Sequence, residues 1–296
     1  MKKKFLVANQ ANGMRLDLFL VDELEGLSRN KIKNIIEGGH VTVDGKVKKA
    51  KTLLKVNEKV EVDLDSAAEK KIALYHLEIP IVYEDQDILV VEKPDDLVVH
   101  PPSRGYQKTL VNALKGMGKK LSGGGELRPG VVHRLDKETS GLLVLAKRKS
   151  AYEGLVDQFK KREVKKEYRA IVWGKFKQNS LTVNLPLTRD RKNRKMKVGM
   201  TQSKEAVTKV EVIKRFKDST LLALKLITGR MHQIRVHLNF LGYPIVGDKK
   251  YGKKDGNDRL LLHAHRLEFF HPAHGTFLTF QSSVPQKFLE FFLAKE

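Results

Sequence analysis

The chain has 296 residues, 41% of them apolar, enough to bury a large core, and no cysteine, which excludes disulfides, thiolate catalysis and cysteine-based metal sites. Lys and Arg number 57 against 35 Asp and Glu, and the net charge of +22 points to a polyanionic partner such as nucleic acid. The start, MKKKFLVANQANG, is too weakly apolar for a signal peptide and no segment reaches the length of a membrane span, so a soluble cytoplasmic protein is expected. The positive charge is concentrated late: residues 126–296 carry 36 basic and 17 acidic groups, whereas residues 1–64 carry 13 and 9.

Residues 13–64 are expected to form a small α/β unit. In MRLDLFLVDEL, Leu16, Phe19, Leu20 and Leu24 recur at helical spacing. A second helix in SRNKIKNIIEGG starts at Ser28 as N-cap, turns Ile32, Ile35 and Ile36 inward and stops at Gly38-Gly39. VTVDGKV predicts a two-residue hairpin at Asp44-Gly45, and KVEVDL supplies a further strand. Residues 65–79, rich in alanine and mixed charge, are expected to be a linker.

Residues 80–296 form a larger α+β domain. IVYEDQDILVVEKP predicts strands on either side of Asp85 to Asp87, and TLVNAL predicts a helix. SAYEGLVDQFKK predicts another helix, with Ser150 and Glu153 as a capping box and Leu155, Val156 and Phe159 turned inward. EYRAIVWG, LTVNLPL, AVTKVEVIKRF, LLALKLI, RLEFF and FLTF carry strand patterns.

Four stretches carry chemistry. GVVHRLDKETSGLLVLAK sets Asp136 at a bend between two apolar strands, where it is either a rigidly held reactive carboxylate or a cap for its own turn. HQIRVHL is ambiguous in period: as a strand it aligns His232, Ile234, Val236 and Leu238, and as a helix it gathers His232 and Arg235 on one side. FKKREVKKEYRAIVWG brings Lys160, Lys161, Arg162, Lys165 and Lys166 up to Tyr168, a pattern suited to phosphate neutralisation with base stacking, the alternative being a solvated face with Tyr168 in the core. RDRKNRKMK has six basic residues in nine positions and predicts a mobile phosphate-binding loop. The histidines lack HExxH or carboxylates at ligand spacing, so polar pairing or phosphate contact suits them better than metal. No P-loop, dinucleotide fingerprint or nucleophile elbow is present, which leaves NTP, NAD and serine-hydrolase chemistry without support.

HRLDKETSGLLVLAK, KKEYRAIVWG, TGRMHQIRVHL with GYPIVGDKKYG, and LLHAHRLEFFHPAHG, in this order, resemble the signature of the RluA-type pseudouridine synthases from about Ile81 onward. Residues 15–62, with RLDLFL and SRNKIKNIIEGGHVTVDGK, resemble the S-four-type RNA-binding domain. The resemblance implies the pseudouridine synthase fold, a mixed, mostly antiparallel sheet with flanking helices. It implies isomerisation of uridine in RNA without metal or organic cofactor: the glycosidic bond breaks, uracil turns, and its carbon 5 joins the ribose.

By position, Asp136 would be the essential carboxylate, Tyr168 would contact the flipped uracil, and Arg235 would pair with Asp136 and hold it ionised and aimed. Arg134 would be the wedge that fills the vacated place in the helix, and Arg29, Lys165, Lys166, Arg230 and His232 would be further RNA contacts. Asp136 either attacks the anomeric carbon or takes the ribose C2′ proton to give a glycal. Met231 departs from the family's threonine, and Pro102 and Lys108 from its glycines, which bears on substrate preference and loop shape. A monomer acting on RNA, foremost that of the large ribosomal subunit, is expected. The competing readings are a transfer-RNA synthase, a non-catalytic RNA-binding or ribosome-assembly protein, and a metal-dependent nuclease. A non-catalytic copy would be expected to lose Asp136, Tyr168 or Arg235, and all three are present.

Overall fold

The computed structural model describes residues 2–27, 29–64, 74–102, 106–190, 192–193, 195–253 and 255–293. The chain divides into two compact units, Met1–Lys71 and Ile72–Glu296. No helix among the described residues is long and apolar enough to cross a membrane.

The first unit packs α1 (Leu16–Glu23) and α2 (Arg29–Glu37) on a sheet of β1 (Lys2–Leu6), β2 (Val41–Val43), β3 (Lys46–Val47) and β4 (Lys59–Asp63) in the order β1-β4-β2-β3. Its start lies upstream of the expected residue 13, because KKKFL pairs antiparallel with β4, Phe5 opposite Val60. Asp44 and Gly45 both take positive φ, as a two-residue hairpin turn of right-handed twist requires. Leu16, Leu20, Ile32, Ile36, Val41 and Val60 fill the core. The expected N-cap Ser28 lies outside the described residues.

Part of the expected linker belongs to the second unit. Residues 65–73 lie outside the described residues, but Tyr75 donates its amide to the Asn112 carbonyl at 3.2 Å, Leu77 packs on the core, and Ile79 is buried. Tyr75, Leu77 and Ile79 alternate, so an extended chain turns all three onto the same surface.

Among the described residues the second unit is built on a nine-stranded sheet. Its path runs β5 (Ile81–Glu84), β6 (Ile88–Lys93), β7 (Ser140–Ala146), β14 (Leu262–Phe270), β8 (Lys165–Trp173), β13 (Ser219–Leu226), β12 (Val207–Arg215) and β9 (Ser180–Asn184), with β15 (Phe277–Gln281) beside β14. The described ladders are antiparallel except β7 with β14, so the sheet is mixed. β6 and β7 are buried on both faces, which is why ILVVEK and SGLLVLA run nearly unbroken in apolar residues. One face carries α3 (Leu110–Gly116), which Thr109 caps by accepting the Asn112 amide. The other carries α4 (Lys149–Lys161), whose Ala151 and Leu155 pack against Val144 and Ala146. α6 (Gln286–Leu293) covers Ile171 and Val246 with Phe288.

Two local expectations are corrected. α4 begins at Lys149 with Arg148 in the N-cap position, so Ser150 lies inside the helix and forms no capping box. Val156 is exposed, and the inward place goes to Gln158, whose side chain bonds both the carbonyl (2.8 Å) and the amide (2.9 Å) of Phe270. RDRKNRKMK is not a loop throughout: β10 (Leu187–Asp190) and β11 (Lys195–Val198) pair as a hairpin, and Asp190 Oδ1 accepts the amides of Lys192 and Asn193. Arg191 and Arg194 lie outside the described residues.

Candidate active site

Asp136 sits on the connection that enters β7. The connection is pinned at Gly130, whose positive φ brings the chain so close that an added Cβ would lie 2.3 Å from the Ala146 carbonyl. At the other end Gly141 also has positive φ, and a Cβ there would lie 2.3 Å from the Ala264 carbonyl. Between them the Asp136 carbonyl accepts the Thr139 amide at 3.1 Å, closing the turn through the backbone. Among the described residues the Asp136 carboxylate caps no backbone amide, so the turn does not account for its charge. Its partner within ion-pair reach is His232, Nε2 to Oδ1 at 3.9 Å.

Beneath this connection lies Lys93, fully buried at the end of β6. Its Nζ donates to the carbonyls of Pro94 (2.7 Å), Leu97 (2.8 Å) and Lys137 (3.1 Å), tying the strand end to the residue after Asp136. Burial pushes the ammonium pKa down to about 7, against the opposing charges of Asp95, Asp136 and Glu138.

Above Asp136 opens a cavity of about 520 Å³, within the range of about 300–1,000 Å³ typical of small-ligand sites. Tyr168 on β8 forms one wall; it is buried, and burial together with the negative charge of Asp136 raises its phenol pKa, so it stays a neutral O–H donor. It is at once part of the core and part of the cavity, a combination that the two sequence readings had kept apart. Arg134, Lys160, Arg162, Lys166 and Arg230 line the same space. Lys166 lies 5.4 Å from the centre of the Phe159 ring, and burial lowers its pKa.

HQIRVHL is helical. α5 (Gln233–Phe240) starts after His232, which takes a left-handed conformation at φ 55°. Gln233 Oε1 accepts the Thr228 hydroxyl and the Arg230 amide, bracing the bend that leads into the helix. Arg235, 2% exposed, does not pair with Asp136 as expected. It forks onto Asp248 (Nε to Oδ2 2.9 Å, Nη2 to Oδ1 2.8 Å) and reaches Glu138 with Nη1 at 3.1 Å. The reason lies in GDKKYG: the amides of Lys250 and Tyr251 fix Asp248 Oδ1 at 3.0 Å each, so its two oxygens meet the planar guanidinium. Burial opposes both charges, but the pair outweighs it, holding Asp248 below and Arg235 above their ordinary pKa values. Arg235 acts on Asp136 only as a charge at a distance.

Other expected contacts are placed elsewhere. Lys165 does not line the cavity; its Nζ lies 5.5 Å from the Phe277 ring centre and 4.0 Å from Glu268. Arg29, in the first unit, bonds with Arg15 to the buried carboxylate of Asp17 at 3.1 and 3.2 Å. His237 and His263 are fully paired, with Thr208 and Leu185 and with Ser140 and Ser282 respectively. Asp87, His271 and His274 bring possible ligand atoms within 4.8 Å of one another, but both His271 nitrogens are engaged, by Asp85 and by the Ala273 and His274 amides.

His133, beside the proposed wedge, accepts the Val144 amide at 3.1 Å and stacks on Phe159. Burial, with the Lys166 charge, lowers its pKa to about 3, and burial does the same for His263. The unfolded chain protonates these imidazoles near pH 6.5, whereas the folded state resists until about 3, so stability present above pH 6.5 is lost on acidification through that interval. Thermal unfolding is therefore expected to occur at lower temperature at pH 4.5 than at pH 7, and the drop should be smaller in His133→Gln.

Sequence reasoning missed Lys93, Glu138, Asp248 and Tyr251. Asp248 and Tyr251 lie within GYPIVGDKKYG, and a buried arginine on a helix calls for a carboxylate in some neighbouring turn.

A family model described as RNA pseudouridylate synthase matches residues 87–240, and an S4 domain model matches residues 14–60. A Bacillus subtilis protein named "Uncharacterized RNA pseudouridine synthase YlyB" is 39% identical over 93% of this chain and 92% of its own. The protein named "Ribosomal large subunit pseudouridine synthase D" is 36% identical in Borreliella burgdorferi, over 98% of this chain and 91% of its own, and 39% in Zymomonas mobilis, over 93% and 91%. Among solved structures, human RNA pseudouridylate synthase domain containing 1 superposes with a TM-score of 0.59 at 28% identity, covering 70% of this chain and 83% of its own.

Proposed function

The chain belongs to the RNA pseudouridine synthase family, and from that premise we propose that it isomerises uridine at the Asp136 cavity, with large-subunit ribosomal RNA as substrate. The observation that carries the assignment to this cavity is Asp136 itself: a carboxylate with no capping duty among the described residues, at the foot of a cavity walled by Tyr168 and ringed with cations.

A uridine inside a stacked helix is out of reach, and unstacking it costs a few kcal/mol. The exposed Arg134 beside Asp136 fits the vacated place, while Lys160, Arg162, Lys166 and Arg230 neutralise the phosphates that follow the base into the cavity. Tyr168 lies against the uracil. Asp136 then attacks the anomeric carbon or takes the C2′ proton, and either step breaks the bond from C1′ to N1. Uracil turns and its C5 bonds to C1′ as the ester from Asp136 to C1′ breaks or, on the other route, as Asp136 returns its proton to C2′. The C5 proton then leaves and N1 takes up a proton, so the reaction is an isomerisation with no net loss of atoms and Asp136 is regenerated as a carboxylate.

The ribosomal target draws support from the relatives named large-subunit synthases and from the S4 unit, whose presence suits a structured RNA. A monomer acting in the cytoplasm completes the reading. Mapping pseudouridines in total RNA with and without the protein tests it: one or more large-subunit sites should disappear, and loss confined to transfer RNA would overturn the target. The five cavity cations set a further expectation. For single-stranded RNA, the slope of log affinity against log salt should be about −3.5, and an affinity insensitive to salt would contradict the cationic rim.

A further inference from the structure

With Arg235 committed to Asp248 and Glu138, the group that faces Asp136 is the ring of His232. This residue is held unusually: a non-glycine in left-handed conformation at the head of α5, its side chain 12% exposed. Such a conformation is strained for a residue with a side chain and persists where surrounding contacts hold it. With the bend braced by Gln233, the ring of His232 is held by Tyr251, whose Oη lies 2.6 Å from His232 Nδ1 with the rings edge to face.

The hydrogen-bond roles follow from one further contact. Tyr251 Oη accepts the Met196 amide at 3.0 Å, from the hairpin strand β11. With that acceptor direction filled, the phenol proton finds its partner at His232 Nδ1, so Nδ1 accepts and the ring carries its own proton on Nε2. Nε2 is the nitrogen facing Asp136. We propose that His232 is a positioning residue for Asp136, giving it a neutral N–H donor, and that Tyr251 fixes the tautomer that makes this possible. The inference rests on the proposed role of Asp136 as the reactive carboxylate.

A neutral donor steadies one carboxylate oxygen without tying the carboxylate into a salt bridge, and leaves the other oxygen for the ribose. Asp136 and Glu138 face His232 and favour its charged form; Arg235 and Lys250 disfavour it, and burial weighs most and keeps the ring neutral. Asp248 and Arg235 act on the phenol of Tyr251, with Lys195 5.9 Å and Arg235 5.4 Å from the centre of its ring. At 3.9 Å the Nε2–Asp136 contact is longer than a hydrogen bond, so it must tighten when RNA enters.

The test uses the full chain with ¹⁵N-labelled histidine, and RNA tritiated at uracil C5. In wild type, NMR should show His232 as the Nε2–H tautomer. Tyr251→Phe, which keeps the ring and loses the proton donor, should give mixed tautomers and lower kcat by about 10- to 100-fold with KM unchanged. It should also move the acidic limb of the rate profile towards the ordinary histidine value of about 6.5. An Nδ1–H tautomer in wild type would overturn the inference, as would a Tyr251→Phe rate profile with an unmoved limb, since a merely structural tyrosine would lower the rate alone. Should wild type itself release no tritium, the proposed function fails, while the tautomer is still settled by NMR.

Discussion

Asp136→Asn is expected to lower turnover by about four to six orders of magnitude, the scale seen when an enzyme loses its reacting group, while changing RNA affinity less than about tenfold, or 1.4 kcal/mol. Asparagine has the same shape, and the Asp136 carboxylate caps no amide among the described residues, so the fold has little to lose. The bend is closed by the backbone and by the Lys93 ammonium beneath it. What the amide cannot do is attack a sugar carbon or take a proton from one. A filter-binding isotherm beside single-turnover kinetics separates the two effects: a variant that fails to bind RNA would mean that Asp136 holds substrate rather than converts it.

Arg235→Met should destabilise the catalytic unit by about 3–5 kcal/mol, the usual cost of breaking a buried ion pair from one side. The remaining partner, Asp248, is 1% exposed and would keep only two backbone amides for a full charge. Adding Asp248→Asn to Arg235→Met should recover part of the loss, because it removes the stranded charge. A double-mutant cycle between Arg235→Met and Asp136→Asn should show little coupling in stability, since the two side chains are not paired. Urea denaturation measures all of these, and a large coupling would restore the direct Arg235–Asp136 pair that the family resemblance implies.

That pair shows where legibility stopped. Hairpins and amphipathic helices are local, and Asp44-Gly45, Thr109 ahead of LVNAL, and the alternation of Leu181 and Val183 announce their conformations within a few residues. The order of motifs was equally legible, since Asp136, Arg134 and Tyr168 all line one cavity. Partner choice was not. Arg235 lies 13 residues before Asp248 and 97 after Glu138, and which carboxylate it meets depends on how α5 lies across the turn at Lys250. The period of HQIRVHL was undecided for a similar reason: six of its consecutive residues are buried, so neither a strand nor a helix signature survives. Lys93 was hidden because a fully buried lysine looks like a surface charge until its three carbonyl acceptors are assembled from separate segments. Charge density misled in two places, since RDRKNRKMK carries its cations partly on paired strands, and Lys165 stands off the cavity beside Phe277.

The central claim, that this cavity turns uridine over at Asp136, is tested most directly by tritium release from RNA labelled at uracil C5, with wild type and Asp136→Asn side by side. Wild type should release tritium in step with pseudouridine formed, in excess chelator as in its absence, and Asp136→Asn should release none above background. Equal release by the two proteins would contradict the account.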